Sequence, residues 1–145
     1  MITVVSIIVV PYDHSESSKK ALAKAASLAQ ADERIELNII TVVEPNSPEA
    51  YSDLLSVKEI REDLLAEARK HLDEAKSNLS SLPNTIKTAV LLGTPSLSIV
   101  EYAIQKDAEL IIMGSRGLTE LKELFLGSVS HYVSQKSPCP VYIVK

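Results

Sequence analysis

The feature that most constrains the fold is an alternation of two apolar patterns along the chain. Short runs rich in Ile and Val, typical of buried strands, alternate with longer segments in which apolar residues recur every three or four positions. In order, the patterns predict βαβαβαβαβ. Strands that alternate with helices form parallel sheets with helices on both faces and right-handed crossovers. The sequence therefore predicts an α/β fold with a doubly wound, open, five-stranded parallel sheet.

The element boundaries follow from the ends of these patterns and from Pro and Gly residues. Residues 3–10 form a run that is apolar on both faces and ends before Pro11, which is typical of an interior parallel strand. The other predicted strands are 35–43, 86–92, 110–113 and 141–144. Four helices are predicted. The first is 15–31, and the second is a long amphipathic helix from about 57 that ends before Pro83. The third is capped by Thr94 with Pro95 at its first position, and the fourth follows Ser128.

Glycine is scarce in this chain and is concentrated in one loop. Three of the four glycines, Gly114, Gly117 and Gly127, fall between the fourth predicted strand and the last helix. Glycine is placed where the backbone bends unusually or approaches another group closely. A loop of this kind before a helix directs backbone N–H groups and the positive end of the helix at an anion. We predict that Gly114 and Gly117 admit a phosphate and that Ser128 caps the helix; a tight turn with a capped helix is the alternative.

This loop matches neither of two common phosphate-binding motifs. It has no Gly-Lys-Ser/Thr sequence, so it is not a P-loop. It has no G-x-G-x-x-G sequence, and it follows the last strand but one instead of the first.

The spacing Gly114-x2-Gly117-x9-Gly127-Ser128 resembles the nucleotide-binding signature of the universal stress protein family. Other landmarks of that family have counterparts at residues 11–18, 93–95, 107–117 and 137–141. The resemblance spans essentially all 145 residues in order, which implies a single universal stress protein domain, 1–145. It also implies strand order 3-2-1-4-5 and a Rossmann-like fold similar to the adenine nucleotide alpha hydrolases.

The resemblance implies a site for ATP and Mg²⁺ where the strand order reverses, at the carboxyl ends of strands one and four. Pro11 and Val42 match family positions that contact adenine. Val42 would do so through its main chain. The residue before it, Thr41, stands where the family often has His. Met113 would line the base or ribose side. Asp13 would contact ribose, and a carboxylate there can also approach Mg²⁺. The phosphate-cradling stretch is matched by Gly114, Arg116, Gly117, Gly127, Ser128, Val129 and Ser130.

These residues also have plainer structural roles. Pro11 and Val42 can be simple strand-end residues, and Asp13 can stabilise a turn or a helix N-terminus. Met113 can pack in the core, and Arg116 can be solvated. Ser128 and Ser130 are expected to face the anion, because hydroxyls and amides at a helix N-terminus point that way.

Three histidines need separate interpretation. His14 stands where the family usually has Gly; histidine tolerates a left-handed backbone better than most residues, so the turn is expected to persist, with the ring narrowing the pocket or touching phosphate. His71 and His131 have no neighbours at metal-ligand spacing. We expect both to be surface or cap residues.

Three classes of function are compatible with these residues. The favoured class is an ATP-binding regulatory protein of the stress response, a nucleotide-dependent switch or partner-binding dimer. The second is a slow ATP hydrolase, in which Asp13 or His14 would be the base and Arg116 the cation. No dedicated catalytic constellation is visible, so no catalytic residue is assigned. The third is a nucleotide-free interaction dimer; the resemblance implies a homodimer through the edge strand Val141–Val144.

Composition narrows the partners and the compartment. The net charge is −4 and the chain has no basic tract, so we expect no nucleic-acid partner. No apolar run approaches the roughly 20 residues of a membrane helix, and the start does not resemble a signal peptide. Cys139 is the only cysteine, which suits a reducing cytoplasm. The irregular stretch at 44–56 is a candidate mobile flap over the site.

Overall fold

The computed structural model of the protein describes residues 6–44, 57–116 and 126–145. Strands and helices alternate through these ranges, as the sequence patterns predict. The elements are β1 (Ser6–Pro11), α1 (Glu16–Gln30), β2 (Ile35–Val43), α2 (Val57–Ser77), β3 (Ile86–Leu92), α3 (Pro95–Gln105), β4 (Leu110–Gly114), α4 (Ser128–Lys136) and β5 (Val141–Val144).

The five strands form one parallel sheet in the order β3-β2-β1-β4-β5, which confirms the predicted topology. Strand β1 lies at the centre, with β2 on one side and β4 on the other. Val10 pairs with Ile39 of β2, and Val9 pairs with Ile111 of β4. The chain therefore winds outward from β1 to β3 and then crosses over to β4, so that the direction of winding reverses between β1 and β4.

Each face of the sheet is covered by two helices. Val10 belongs to a core cluster with residues of α1 and α2, whereas the neighbouring Val9 belongs to a second cluster with residues of α3 and α4. This alternation explains why β1 is apolar from Ile7 onward: its successive side chains enter different cores. Helix α1 lies against its cluster through three fully buried alanines, Ala21, Ala25 and Ala29.

Three boundaries differ from the sequence patterns, and one expectation lies outside the described residues. Helix α2 ends at Ser77, several residues before Pro83, and turns follow it. Strand β1 includes Pro11, which pairs with Ile40, and the next amide, that of Tyr12, donates to the Ile40 carbonyl at 2.8 Å. A proline at the end of a strand does not stop the ladder when the following residue still supplies a donor. Strand β4 likewise extends to Gly114. The candidate flap lies almost wholly in 45–56, outside the described residues.

No helix in the described parts of the chain combines the length and the apolar character that crossing a membrane requires.

A polar network joins β2 to α3 on the face of the sheet that α3 and α4 cover. Asn38 is fully buried, and its Oδ1 accepts a hydrogen bond of 2.6 Å from the Tyr102 hydroxyl. The Asn38 amide donates to Glu36 at 2.9 Å, and Glu36 lies 3.4 Å from the ammonium group of Lys87. Buried polar groups are tolerated when they are paired. The network therefore fixes how α3 sits on the sheet.

We expect Tyr102→Phe to lower the free energy of unfolding by about 1–3 kcal/mol, because Asn38 Oδ1 loses its donor in a buried place. Tyr142→Phe is the matched control, since the Tyr142 side chain is 44% exposed and its change should stay within about 0.5 kcal/mol. Urea unfolding followed by circular dichroism measures both. A Tyr102→Phe protein as stable as wild type would contradict the account of this network.

The same tyrosine gives a pH dependence. Burial, and then the Glu36 carboxylate, raise the pKa of Tyr102. The unfolded tyrosine therefore loses its proton first as the pH rises past about 10, and the stability present below that pH is lost as the pH rises through the folded pKa. Tyr102→Phe should lose less stability than wild type over this alkaline range in the same urea experiment.

Candidate functional site

The carboxyl ends of β1 and β4 lie side by side, and the chain enters a helix after each of them. Helix α1 begins at Glu16 after the end of β1, and α4 begins at Ser128 beyond the end of β4. The N–H groups of a helix's first turn have no partner within the helix and carry partial positive charge. Two helix N-termini therefore flank one end of the sheet, at the place where the winding reverses.

The turn between β1 and α1 is fixed by short hydrogen bonds. The Tyr12 carbonyl accepts from the Thr41 hydroxyl at 2.7 Å, which ties the start of the turn to β2. The Asp13 carboxylate accepts from the Ser15 amide at 3.0 Å. Ser15 is the N-cap of α1, and its hydroxyl accepts from the Ser18 amide at 3.2 Å. The Asp13 side chain is exposed, and the hydrogen bond from the Ser15 amide holds it next to the start of α1.

His14 has a left-handed backbone, with φ of 69°, so the expectation that the turn persists without glycine is confirmed. Its ring stacks on the ring of His71 from α2, with centroids 4.1 Å apart and planes 4° from parallel. The sequence predicts His71 to be a surface or cap residue; it is half-buried and forms this stack. The two histidines are far apart in the chain, and no pattern in the sequence links them.

Gly114 lies directly under the first turn of α1. A Cβ at this position would lie 2.7 Å from the Ser17 Cβ and 2.8 Å from the Ser17 carbonyl carbon. Real Cβ atoms essentially never come that close to other heavy atoms. Glycine at 114 is thus required by the approach of α1 to β4, a reason different from the expected approach of a phosphate. Gly117 lies outside the described residues.

Ser115 joins β4 to the start of α4. Its amide donates to the Val144 carbonyl of β5 at 2.8 Å. Its carbonyl accepts twice, from the Gly127 amide at 2.7 Å and from the Ser130 hydroxyl at 2.9 Å. Residues on both sides of the segment 117–125 are therefore held together, and the start of α4 is fixed beside the end of β4. No sequence pattern indicates this role, because Ser115 resembles an ordinary loop residue.

The prediction that Ser128 caps α4 is wrong. The N-cap is Gly127, no side chain caps the helix, and Ser128 is its exposed first residue. Ser130 also differs from expectation, because its buried hydroxyl donates to the Ser115 and Gly127 carbonyls and so points into its own chain. What these residues can offer an anion is therefore chiefly the backbone amides at the start of the helix.

The residues expected to contact the base lie on three neighbouring strands. They share one face of the sheet, because the residues two positions earlier on each strand lie in the same core cluster. Pro11 and Val42 are half-buried, whereas Met113 is only 5% exposed and packs in that core. Core packing, the plainer alternative for Met113, thus describes its side chain here.

Two further residues complete the expected set. Arg116 is half-buried and is the last described residue of its segment, and Val129 is half-buried in the first turn of α4. Both therefore lie close in sequence to the two ends of the glycine loop, on either side of residues 117–125.

The described residues form no group of three or more His, Cys, Asp or Glu side chains that could hold a metal ion. They do line two open surface depressions along α2 and its connection to β3, of about 710 and 530 Å³. The larger one presents cations and carboxylates together, Arg69 and Lys70 beside Asp73 and Glu74. Because the charges there are mixed, this surface has no preference for an anion.

Proteins of known family resemble this chain in both sequence and fold. The family model described as "Universal stress protein family" matches residues 5–145. The chain belongs to the universal stress protein family. Universal stress protein YxiE of Bacillus subtilis is 38% identical over 148 residues, covering 94% of this chain and 96% of the relative.

Solved structures of the family share the fold. The structure of protein MJ0577, a universal stress protein of Methanocaldococcus jannaschii, matches with a TM-score of 0.86 and 31% identity, over 97% of this chain and 96% of that one. A universal stress protein solved in complex with cAMP matches with a TM-score of 0.71 and 27% identity, over 97% of each chain.

We expect Gly114→Ala to lower the free energy of unfolding by about 1–3 kcal/mol, because the added methyl group must displace the first turn of α1. The loss should be smaller when the same change is made in a Ser17→Gly protein, since two of the three nearest atoms belong to the Ser17 side chain. Urea unfolding of the four proteins gives the coupling. Equal losses in both backgrounds would contradict the contact.

Proposed function

We propose that this universal stress protein binds an adenine nucleotide, ATP with Mg²⁺, and acts in the stress response as a nucleotide-dependent switch or partner-binding dimer. One observation carries the proposal: Gly114 and Gly127, two glycines of the family signature, lie at the end of β4 and at the N-terminus of α4, and the Ser115 carbonyl holds the start of α4 beside the end of β4. A family member in complex with cAMP supports an adenine nucleotide as the ligand class.

The phosphates would be held by the start of α4. Its first amides, those of Ser128, Val129 and Ser130, lie at the positive end of the helix, and Gly127 precedes them without a side chain. Arg116 and Gly117 would approach from the other end of the loop. The chain has a net charge of −4, so an anion depends on such local donors.

The nucleoside would lie along the three strand ends. Pro11, Val42 and Met113 share the face of the sheet on which α4 packs. Val42 would contact adenine through its main chain, Pro11 would pack against the base, and Met113 would line the base or ribose side. Asp13 would accept hydrogen bonds from the ribose hydroxyls. The Asp13–Ser15 hydrogen bond orients that carboxylate in advance.

The described side chains fit a magnesium ion that arrives with the nucleotide. Mg²⁺ is usually held by substrate phosphates, waters and one or two carboxylates. Such a mode needs no preformed group of three protein ligands, and the described residues contain none. Asp13 is a carboxylate at the crevice, and the phosphate oxygens would supply most of the coordination.

We expect Asp13→Asn to weaken ATP binding about tenfold, because an amide cannot replace a carboxylate that accepts from ribose hydroxyls. The asparagine oxygen can still accept from the Ser15 amide, so the turn survives. The matched control is Glu16→Gln, which removes the same charge from the exposed first turn of α1. Calorimetry with ATP and Mg²⁺ measures the three proteins.

The two variants distinguish the loss of the ribose contact from the loss of a negative charge. Loss of a negative charge alone should leave ATP binding equal or slightly tighter in both, because the ligand is an anion. Weakening in Asp13→Asn but not in Glu16→Gln is the expected result. Equal behaviour of the two variants would contradict the ribose contact, and a wild-type protein that binds no ATP would contradict the proposed function itself.

We also propose that a second copy of the chain pairs along β5. This strand is the last in the sheet, so one of its edges is uncovered in the described chain. The carbonyls of Pro140 and Val144 accept from β4 and from the residue that follows it. Because backbone groups alternate along a strand, the N–H and C=O groups of Val141 and Ile143 point to the open edge. Such an edge is a template for pairing with another strand.

We expect Ile143→Pro to give monomers, because it removes an outward N–H while the bonds to β4 remain. Ile143→Val keeps the N–H and a similar side chain, and it should remain dimeric. Sedimentation at micromolar concentration gives the assembly state, and circular dichroism shows whether the sheet is retained. A folded Ile143→Pro dimer would contradict pairing through β5.

We propose, finally, that residues 1–145 work as one domain in the cytoplasm. The family model matches 5–145, which supports one domain. A single cysteine, which excludes an internal disulfide, supports a reducing compartment.

A further inference from the structure

The turn that carries Asp13 is held from α2 as well as from β2. The ring of His71 lies flat on the ring of His14, 4.1 Å away between centroids. The ring of Tyr12 meets the ring of His14 edge-on, at 6.3 Å and 75°. Three aromatic rings, two from the turn and one from a distant helix, therefore form one packed group.

The ring that contacts the other two belongs to His14, the residue of the turn with a left-handed backbone. His14 has φ of 69°, a left-handed conformation that a residue with a Cβ adopts at a cost in free energy. That conformation persists where the surrounding structure enforces it. The neighbours Asp13 and Ser15 are fixed by hydrogen bonds, and the stack on His71 fixes the ring of the residue between them.

Tyr12 also packs with α2, because it belongs to the same core cluster as Leu72 and Ala75. Tyr12 is 8% exposed, and its pKa is raised by burial first and then by the nearby carboxylates of Glu74 and Asp13. Glu74 lies one turn of α2 beyond His71 in the sequence. The stretch of α2 from His71 to Ala75 therefore packs near both Tyr12 and His14.

We propose that His71 is a positioning residue for the nucleotide site and acts through His14. The stack holds the left-handed turn, and the turn holds the Asp13 carboxylate and the start of α1 at the crevice. This inference rests on the proposed function.

A double-mutant cycle tests the inference. His71→Ala should weaken ATP binding about 3- to 10-fold, the range expected for loss of one aromatic stack. Glycine adopts a left-handed backbone without support. In a His14→Gly protein, therefore, the same His71→Ala change should leave ATP binding within about twofold, since there is no ring to hold and no strain to maintain.

Two further measurements separate positioning from a general effect on α2. His71→Phe keeps a flat ring on His14 and should restore binding to within about twofold of wild type. The ring protons of His14 should be shifted upfield by the neighbouring ring in wild type and in His71→Phe, and should lose that shift in His71→Ala. Proton NMR reads the stack without any nucleotide.

The outcomes separate this inference from the proposed function. Equal losses from His71→Ala in the wild-type and His14→Gly backgrounds would show that His71 only supports α2, and would overturn the positioning role. ATP binding by His71→Ala as tight as by wild type would overturn it too. A wild-type protein that shows the ring shift but binds no ATP would overturn the proposed function, and with it the role of His71 there.

Discussion

The candidate site depends on the close packing of the first turn of α1 against the end of β4. Gly114 leaves no room for a side chain between the two, and the Ser17 hydroxyl also reaches the Val144 carbonyl of β5 at 3.3 Å. This contact fixes the N-terminus of α1 above the central strands. The two hydrogen bonds that the Ser115 carbonyl accepts then bring the N-terminus of α4 to the same place. The arrangement of the two helix N-termini at this end of the sheet is thus a consequence of packing within the chain.

Much of the fold can be predicted because strong local patterns agree with the tertiary structure. The bounds of β2, β3 and β5 match the sequence patterns, since β-branched runs ended by loop residues leave little choice. The strand order follows from the family resemblance and is confirmed. The predicted cap of α4 is wrong because the helix already includes Ser128, and Gly127, whose amide is bonded to the Ser115 carbonyl, takes the N-cap position. Likewise, the sequence predicts that Gly114 makes room for a ligand, although a helix occupies the space beside it.

Contacts between distant segments account for what sequence reasoning misses. The stack of His14 on His71 joins a loop and a helix that share no motif, and either residue alone carries little information. The hydrogen bond between Tyr102 and Asn38 is similar: one residue resembles part of a helix stripe and the other a polar interruption of a strand. Such pairs become visible only when the topology has placed the elements side by side. The Tyr102–Asn38 pair links α3 to the sheet, and the His14–His71 pair holds the turn of the candidate site.

The central claim is that a nucleotide occupies the crevice at the carboxyl ends of β1 and β4. The most direct measurement is a map of backbone amide chemical shifts as ATP and Mg²⁺ are added to the isotope-labelled protein. The account predicts saturable shifts at Asp13 to Ser15, at Ser115 and Arg116, and at Gly127 to Ser130. Shifts confined to the charged outer side of α2, around Arg69 and Lys70, or no shifts at all, would contradict it.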